Sequence, residues 1–243
     1  METLDAIWRL LSSSPLFAIA LTLCVYLCAM WIAARFNFSP LANPVVIAVG
    51  VIVFLLSSTG ISYERYFAAV QPLHLMLGPV TVALAIPLAR QLPRLRRRLL
   101  PLSVGLLLGC LTAMLSAVLI TIWMDGSYQL ALSIGPKSAT TPIAMGVADK
   151  IGGIPSVAAA IVILTGAFGA LVARYLFNWL RISSPEIRGF ALGVAAHGIG
   201  TARGFQVSKE IGTFAGLGMG LNGMLTAVLA PALVPLIVSY FFR

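Results

Sequence analysis

Apolar residues fall in long runs over 16–34, 41–58, 73–89, 99–124, 130–148, 154–180, 190–207 and 211–242, separated by short polar or basic segments. Each approaches the roughly 20 residues that a helix needs to cross a bilayer. The run 99–124 carries no charge and predicts the clearest helix. Asn43-Pro44 opens the second run, where proline is tolerated in a first helical turn. A polar interlude, Tyr63-Glu64-Arg65-Tyr66, follows it. Three runs are interrupted: 73–89 by Gly78-Pro79 and Pro87, 130–148 by Gly135-Pro136-Lys137, and 190–207 by His197-Gly198-Ile199-Gly200. The last run is too long for one untilted span, and Pro231 and Pro235 predict a break in it. The pattern predicts an all-α polytopic membrane protein forming one integral domain over 1–243. Roughly seven to nine segments are expected, some discontinuous or re-entrant.

Composition removes the other classes. Hydrophobic residues make up 60% of the chain and charged ones 9%, with a mean hydropathy of +1.00. Such a chain cannot solvate a globular surface. The net charge is +9, with Arg94, Arg96, Arg97 and Arg98 together. Beside an apolar span such a cluster marks the cytoplasmic side rather than a nucleic-acid partner. Arg174, Arg181 and Arg188 prefer that same side, so the run 154–180 should begin outside near Gly152-Gly153. That leaves 130–148 with both ends outside, as a re-entrant segment or a pair of half-helices meeting near Pro136-Lys137. Irregular backbone at that depth must face protein or a water-filled cavity. Cys24, Cys28 and Cys110 lie inside apolar runs and are read as core packing, with no disulfide framework and no metal site. The first run reads as a retained span rather than a cleaved signal. A short internal echo pairs Leu77-Gly78-Pro79-Val80-Thr81 with Ile134-Gly135-Pro136-Lys137-Ser138, and Leu100-Pro101-Leu102-Ser103-Val104 with Ile154-Pro155-Ser156-Val157. Repeats with interrupted helices at matching positions point to transporter binding sites.

Two clusters could carry chemistry. Lys137 sits between two apolar arms, and a charge at bilayer depth costs roughly 2.5–3.5 kcal/mol on insertion scales. Ser138, Thr140 and Thr141 add hydroxyls, Pro136 and Pro142 free backbone groups, and half-helix N-termini offer N–H groups. Together they favour an anion in a polar cavity. The other reading is an interfacial lysine snorkelling to water. The second cluster is His197, Thr201 and Arg203, with Gly198 and Gly200 opening the backbone. His197 could contact substrate or carry a proton. Alternatively it bonds a helix carbonyl, and Arg203 lies near a membrane end. His74 is read as interfacial, Glu64 and Arg65 as a solvated pair, and Asp149 and Lys150 as a helix-end pair. Gly212, Gly216 and Gly220 recur every four residues, a close-packing face. No catalytic set or cofactor motif is present in the sequence, so no enzyme is expected.

The stretches Pro136-Lys137-Ser138-Ala139-Thr140-Thr141-Pro142-Ile143-Ala144, Ile151-Gly152-Gly153-Ile154-Pro155 and Ala196-His197-Gly198-Ile199-Gly200-Thr201-Ala202 resemble the LrgB/CidB family. Asn43-Pro44, Ile61-Ser62-Tyr63-Glu64 and Gly78-Pro79-Val80-Thr81-Val82-Ala83-Leu84 extend the resemblance over nearly the whole chain. The resemblance implies a multi-pass protein of the bacterial cytoplasmic membrane. Members are described as antiholin-like and typically accompany a small LrgA/CidA-type membrane partner. Plastid relatives carry glycolate and glycerate, and some bacterial members are implicated in pyruvate movement. The expectation is therefore a carrier for a small carboxylate anion, with Lys137, Ser138, Thr140, Thr141, His197, Thr201, Arg203 and Thr81 as binding residues. Gly78, Pro79, Pro136, Pro142, Gly198 and Gly200 would break the helices, and a homo-oligomer is compatible with this picture. The competing expectation is an antiholin-like regulator that transports nothing itself.

Overall fold

A computed structural model describes residues 14–36, 44–76 and 98–242, with the single positions 42, 79 and 89; at His74 only the backbone is described. Gly78 and Thr81 lie outside the described residues, as do Arg94, Arg96 and Arg97 and most of the run 73–89. The described residues are helical, with no strand among them, and the chain divides into two compact units, Met1–Ala85 and Ile86–Arg243.

The first unit holds α1 (Pro15–Arg35), α2 (Pro44–Thr59), α3 (Tyr63–Ala69) and α4 (Gln71–Leu75). Proline opens α1, and Ser62 caps α3 by accepting the Arg65 N–H. The Thr22 and Tyr66 hydroxyls meet at 2.7 Å and tie α3 to α1. Cys24 and Cys28 are exposed, which corrects their reading as core; only Cys110 is buried. Alternating burial along α1 selects Ala18, Ala29 and Ala33 for the packed face, so the thiols fall on the other side.

The second unit holds α5 (Leu99–Trp123), α6 (Tyr128–Ile134), α7 (Thr141–Ile151), α8 (Pro155–Trp179), α9 (Pro185–Val207) and α10 (Lys209–Phe241). Four described helices are long and apolar enough to cross a membrane: α1, α5, α8 and α10. Among the described residues α2 is a shorter apolar helix of 16 residues, and α6, α7 and the kinked α9 are discontinuous elements, as is expected of some of the roughly seven to nine segments.

The helices α6 and α7 have 7 and 11 residues, so they are about a third and about half of a membrane crossing long. Between them the chain turns over residues 135–140. The segment then closes on itself: the Ile154 N–H donates to the Ser133 hydroxyl at 2.7 Å. A second hairpin is hidden inside α9. His197 has φ 41° and ψ −130°, so the helix breaks there into arms 185–196 and 198–207. Both arms end beside the start of α10, since Gly189 packs on the Ile211 carbonyl and Gly204 on Gly212. The break is therefore at His197 itself, not at Gly200. Gly200 allows the return arm to fold closely, because a Cβ there would stand 2.7 Å from the Leu192 carbonyl oxygen.

The two hairpins enter from opposite ends of the unit. Arg98 pairs with Glu186 at 3.6 Å, which sets the start of α5 beside the start of α9. The rings of Tyr128 and Phe242 meet edge-to-face at 5.6 Å, which sets the start of α6 beside the end of α10. The long helices that precede the hairpins end alike. Both α5 and α8 have 25 residues and finish on tryptophan. Two residues on, Asp125 and Arg181 adopt φ 56° and 54°. Each takes a bond to the carbonyl three residues back, and the next N–H reaches five back, Gly126 to Thr121 and Ile182 to Phe177. These are two Schellman caps with a non-glycine residue at the left-handed position. Ser127 and Ser184 then cap the following helices. The described residues of the unit thus run helix–hairpin–helix–hairpin–helix, and the echo between Leu100–Val104 and Ile154–Val157 falls on the starts of the two equivalent helices.

The C-terminal helix is the spine. Its far half, through Ala230, Val234 and Val238, packs with Cys110, Met114 and Val118 of α5 around Leu132 and Val147 of the first hairpin. Its near half, through Phe214, packs with Phe190 and Val194 of the second. Contrary to expectation, Pro231 and Pro235 lie inside this continuous 33-residue helix. Spaced four apart, they drop bonds along one strip only, and membrane helices tolerate such losses. The expected glycine face also shifts: Gly220 meets nothing within 4 Å, whereas a Cβ at Gly218 would meet the Phe190 carbonyl at 2.5 Å. The α9 hairpin needs contact there.

Candidate functional site: a lysine at the meeting of two hairpin tips

The tip of the first hairpin is packed tightly. Gly135 abuts Val234, where a Cβ would stand 2.7 Å from a methyl carbon, and Pro136 is fully buried. This pins the turn and projects Lys137. Its Nζ donates to the neighbouring Ser138 hydroxyl at 3.4 Å. Lys137 lines two cavities. One, of about 460 Å³, runs along α5 and α9 past Ser138, Val194 and Ala195 to Arg98. The other, of about 580 Å³, runs along α8 and α9 past Ala195 and Ala196 to Phe177. They share Ala191 and Ala195 and so flank the entering arm of the second hairpin. Their walls are mainly alanine, leucine, glycine and phenylalanine, so the polar cavity expected around Lys137 is instead an apolar one with few polar groups. Ligand sites commonly have that character, with isolated polar groups fixing orientation.

Thr140 and Thr141 begin α7, directly after this tip. Thr140 occupies the N-cap without a side-chain cap bond, and Pro142 sits in the first turn, where its missing N–H costs nothing. Thr201 donates to the His197 carbonyl at 2.9 Å and lies 3.7 Å from the Met219 sulfur. None of these three threonines lines either Lys137 cavity. His197 is buried, and its Nε2 bonds the Val162 carbonyl of α8 at 2.9 Å. The ring fits because residue 166 is glycine: a Cβ there would stand 2.6 Å from His197 Cε1. Gly198 is exposed, with only the Met219 sulfur near it. Arg203 is buried, donates to Gln206 Oε1 at 3.1 Å and opens on a third cavity, away from Lys137.

The group that joins the two tips is Asn222, at the middle of α10. It is fully buried. Its amide nitrogen donates to the Ser138 carbonyl at 2.9 Å and the Val194 carbonyl at 3.2 Å. Those carbonyls are orphans of broken helices: the break at His197 deprives Val194 of its partner four residues on. One side chain thus satisfies one orphan on each hairpin, while Asn222 Oδ1 has no protein partner. Sequence reasoning overlooked Asn222 and Gly166. The available signal for the first was the single amide in the charge-free run 211–242.

The family model described as the LrgB-like family matches residues 22–236. The chain belongs to the LrgB-like family. This LrgB-like protein is 36% identical to YwbG of Bacillus subtilis over 214 residues, covering 88% of the chain and 95% of that relative. YxaC of the same organism is 32% identical, with 89% and 94% covered. A Staphylococcus aureus relative, "Holin-like protein CidB", is 27% identical, with 93% and 97% covered. No solved structure matches the chain. Family membership and the four apolar helices make it a multi-pass membrane protein.

Proposed function

We propose that this LrgB-like protein is a carrier for a small monocarboxylate of the glycolate, glycerate or pyruvate class in the bacterial cytoplasmic membrane. The observation that carries the reading is the pair of opposed hairpins whose tips meet beside Lys137. Lys137 supplies the positive charge, and the start of α7 brings the positive end of a helix dipole to the same turn. Half-helix N-termini facing an anion at a repeat interface are a recurring transporter design. Binding, release and reorientation of the anion need no covalent chemistry, so no catalytic residue is assigned.

A second reading has its own support. The staphylococcal relatives carry the name "Holin-like protein CidB". On names alone, a holin-associated or antiholin-like protein acting with a small membrane partner fits better than a carrier. The two readings part on one experiment. Purified protein in liposomes, with no partner present, should accumulate labelled glycolate or pyruvate, and Lys137→Ala should lose this while remaining folded. Truncating one member of a buried charged pair costs roughly 2–5 kcal/mol, a loss of about 30- to several-thousand-fold in affinity. Lys137→Arg keeps the charge on a larger, flatter head and should rescue only in part. Transport by Lys137→Ala at the wild-type rate sinks the binding role. Absence of transport by the wild type, with activity restored by a small holin-like partner, favours the second reading.

A further inference from the structure

The third cavity has a chemistry that the Lys137 site does not use. It encloses about 400 Å³ and is lined by Arg174 and Asn178 of α8 and by Arg188 and Arg203 of α9. Ala170, Ala173, Phe177, Leu192, Val207 and Ile211 complete the wall. Three guanidinium groups therefore converge on one small space, and no carboxylate lines it. Two of the three are held in place. Arg188 donates from Nε to the Ile182 carbonyl at 2.5 Å and from an Nη to Asn178 Oδ1 at 2.8 Å, with its guanidinium 5.8 Å from the Phe177 ring centre. Arg203 is 8% exposed and is steadied by Gln206. Arg174 is exposed at the mouth.

Like charges drawn together in a partly dry space repel, and the repulsion is poorly screened there. Snorkelling would relieve it, yet Arg203 is buried and Arg188 is tied to the α8–α9 turn. The unspent N–H groups of fixed, planar guanidiniums match the oxygens of an anion, and bidentate pairing of this kind is the strong form. Three such groups suit a dianion better than a singly charged carboxylate.

We propose that Arg174, Arg188 and Arg203 form an oxyanion site for a phosphate group, distinct from the Lys137 site. A phosphate reaches it either as a free phosphate or phosphomonoester or as the headgroup of an anionic lipid, and the recognition chemistry is the same. The cavity adjoins the one below Lys137, since both are walled by Ala173, Phe177 and Leu192. Occupancy of the arginine site therefore changes the field along the path to Lys137.

The test uses the full chain, delipidated in detergent and titrated with inorganic phosphate by calorimetry, with chloride at matched ionic strength as the control. Phosphate should bind with a Kd below about 1 mM. Arg203→Gln should weaken it about tenfold or more. Arg174→Gln, at an exposed position with little bearing on folding, should weaken it severalfold and stands alone if the buried variant fails to fold. Lys137→Ala, one cavity away, should shift the titration far less than either arginine substitution. Two nanodisc preparations, one of phosphatidylcholine and one half phosphatidylglycerol, distinguish the sources. Loss of the phosphate response in the anionic disc, with lipid retained by wild type but not by Arg174→Gln, identifies a headgroup. An equal response in both discs identifies a free phosphate. A titration that ignores both arginine substitutions, or one abolished by Lys137→Ala, overturns the proposal.

Discussion

Replacing Asn222 by alanine removes the one side chain among the described residues that bonds both hairpin tips. Two bonds are lost, to the Ser138 and Val194 carbonyls, and both carbonyls are left buried without a donor. Side-chain hydrogen bonds in membrane proteins average about 0.6 kcal/mol by double-mutant cycles, and neutral ones elsewhere reach about 1.5 kcal/mol. Two of them give about 1–3 kcal/mol. For a domain of this size that lowers Tm by roughly 3–10 °C. The loss should be local as well as global. Amide exchange should quicken at residues 135–141 and 194–201 while the distal half of α10, packed through Val234 and Val238, stays protected. Asn222→Asp is the sharper variant, because its oxygens would face two carbonyl oxygens with at most one proton between them. With Cys24 and Cys28, both exposed, replaced by serine in every chain compared, both variants can be melted in detergent with a thiol-reactive dye that reports exposure of Cys110, which is buried in the folded chain. A Tm within about 1 °C of wild type, with unchanged exchange at both tips, would refute the bridging role.

Other outcomes follow from the same geometry. Gly166→Ala should push the His197 ring off the Val162 carbonyl and destabilise the fold by about 1–3 kcal/mol, read by detergent melting; a neutral result means that the ring is not seated there. Ser133→Ala should remove the closure of the first hairpin at Ile154 and leave that N–H unpaired, costing about 1–3 kcal/mol and speeding its exchange. In a cysteine-free background, single cysteines at Ser127 and Gly153 should label from one face of the membrane, and those at Ser183 and Lys209 from the other. Labelling of Ser183 and Lys209 from opposite faces would show that α9 crosses the membrane instead of folding back.

Much of this arrangement is legible in the chain. The charge distribution forces 130–148 to turn back, because Arg98 and the group around Arg181 demand the same side. Gly135-Pro136-Lys137 marks the turn itself. The second hairpin is harder to read. His197 and its glycines announce an opened backbone, but a left-handed histidine inside an otherwise helical pattern is decided by tertiary contact, here with Val162 and in the space left by Gly166. The prolines of α10 mislead for the converse reason. Local rules predict a break, whereas burial of Ala230, Val234 and Val238 against two partners keeps the helix continuous. The lining of the cavities is legible as far as Lys137 and Ser138. Arg203 parts from them because sequence proximity to His197 says nothing about which side of a folded-back arm it faces.

The bridging amide also sets an order of events during synthesis. Asn222 lies 84 residues after the Ser138 carbonyl and 28 after that of Val194. When the first hairpin leaves the ribosome, the side chain that completes its tip has not yet been made. Neither half-helix is long enough to be inserted as a span by itself. Both hairpins must therefore wait, shielded at the insertion machinery or held by α5 and α8, until the C-terminal helix arrives and locks them together. Chains terminated before residue 222 would present two unfinished tips to the membrane, and so become substrates for proteolytic quality control.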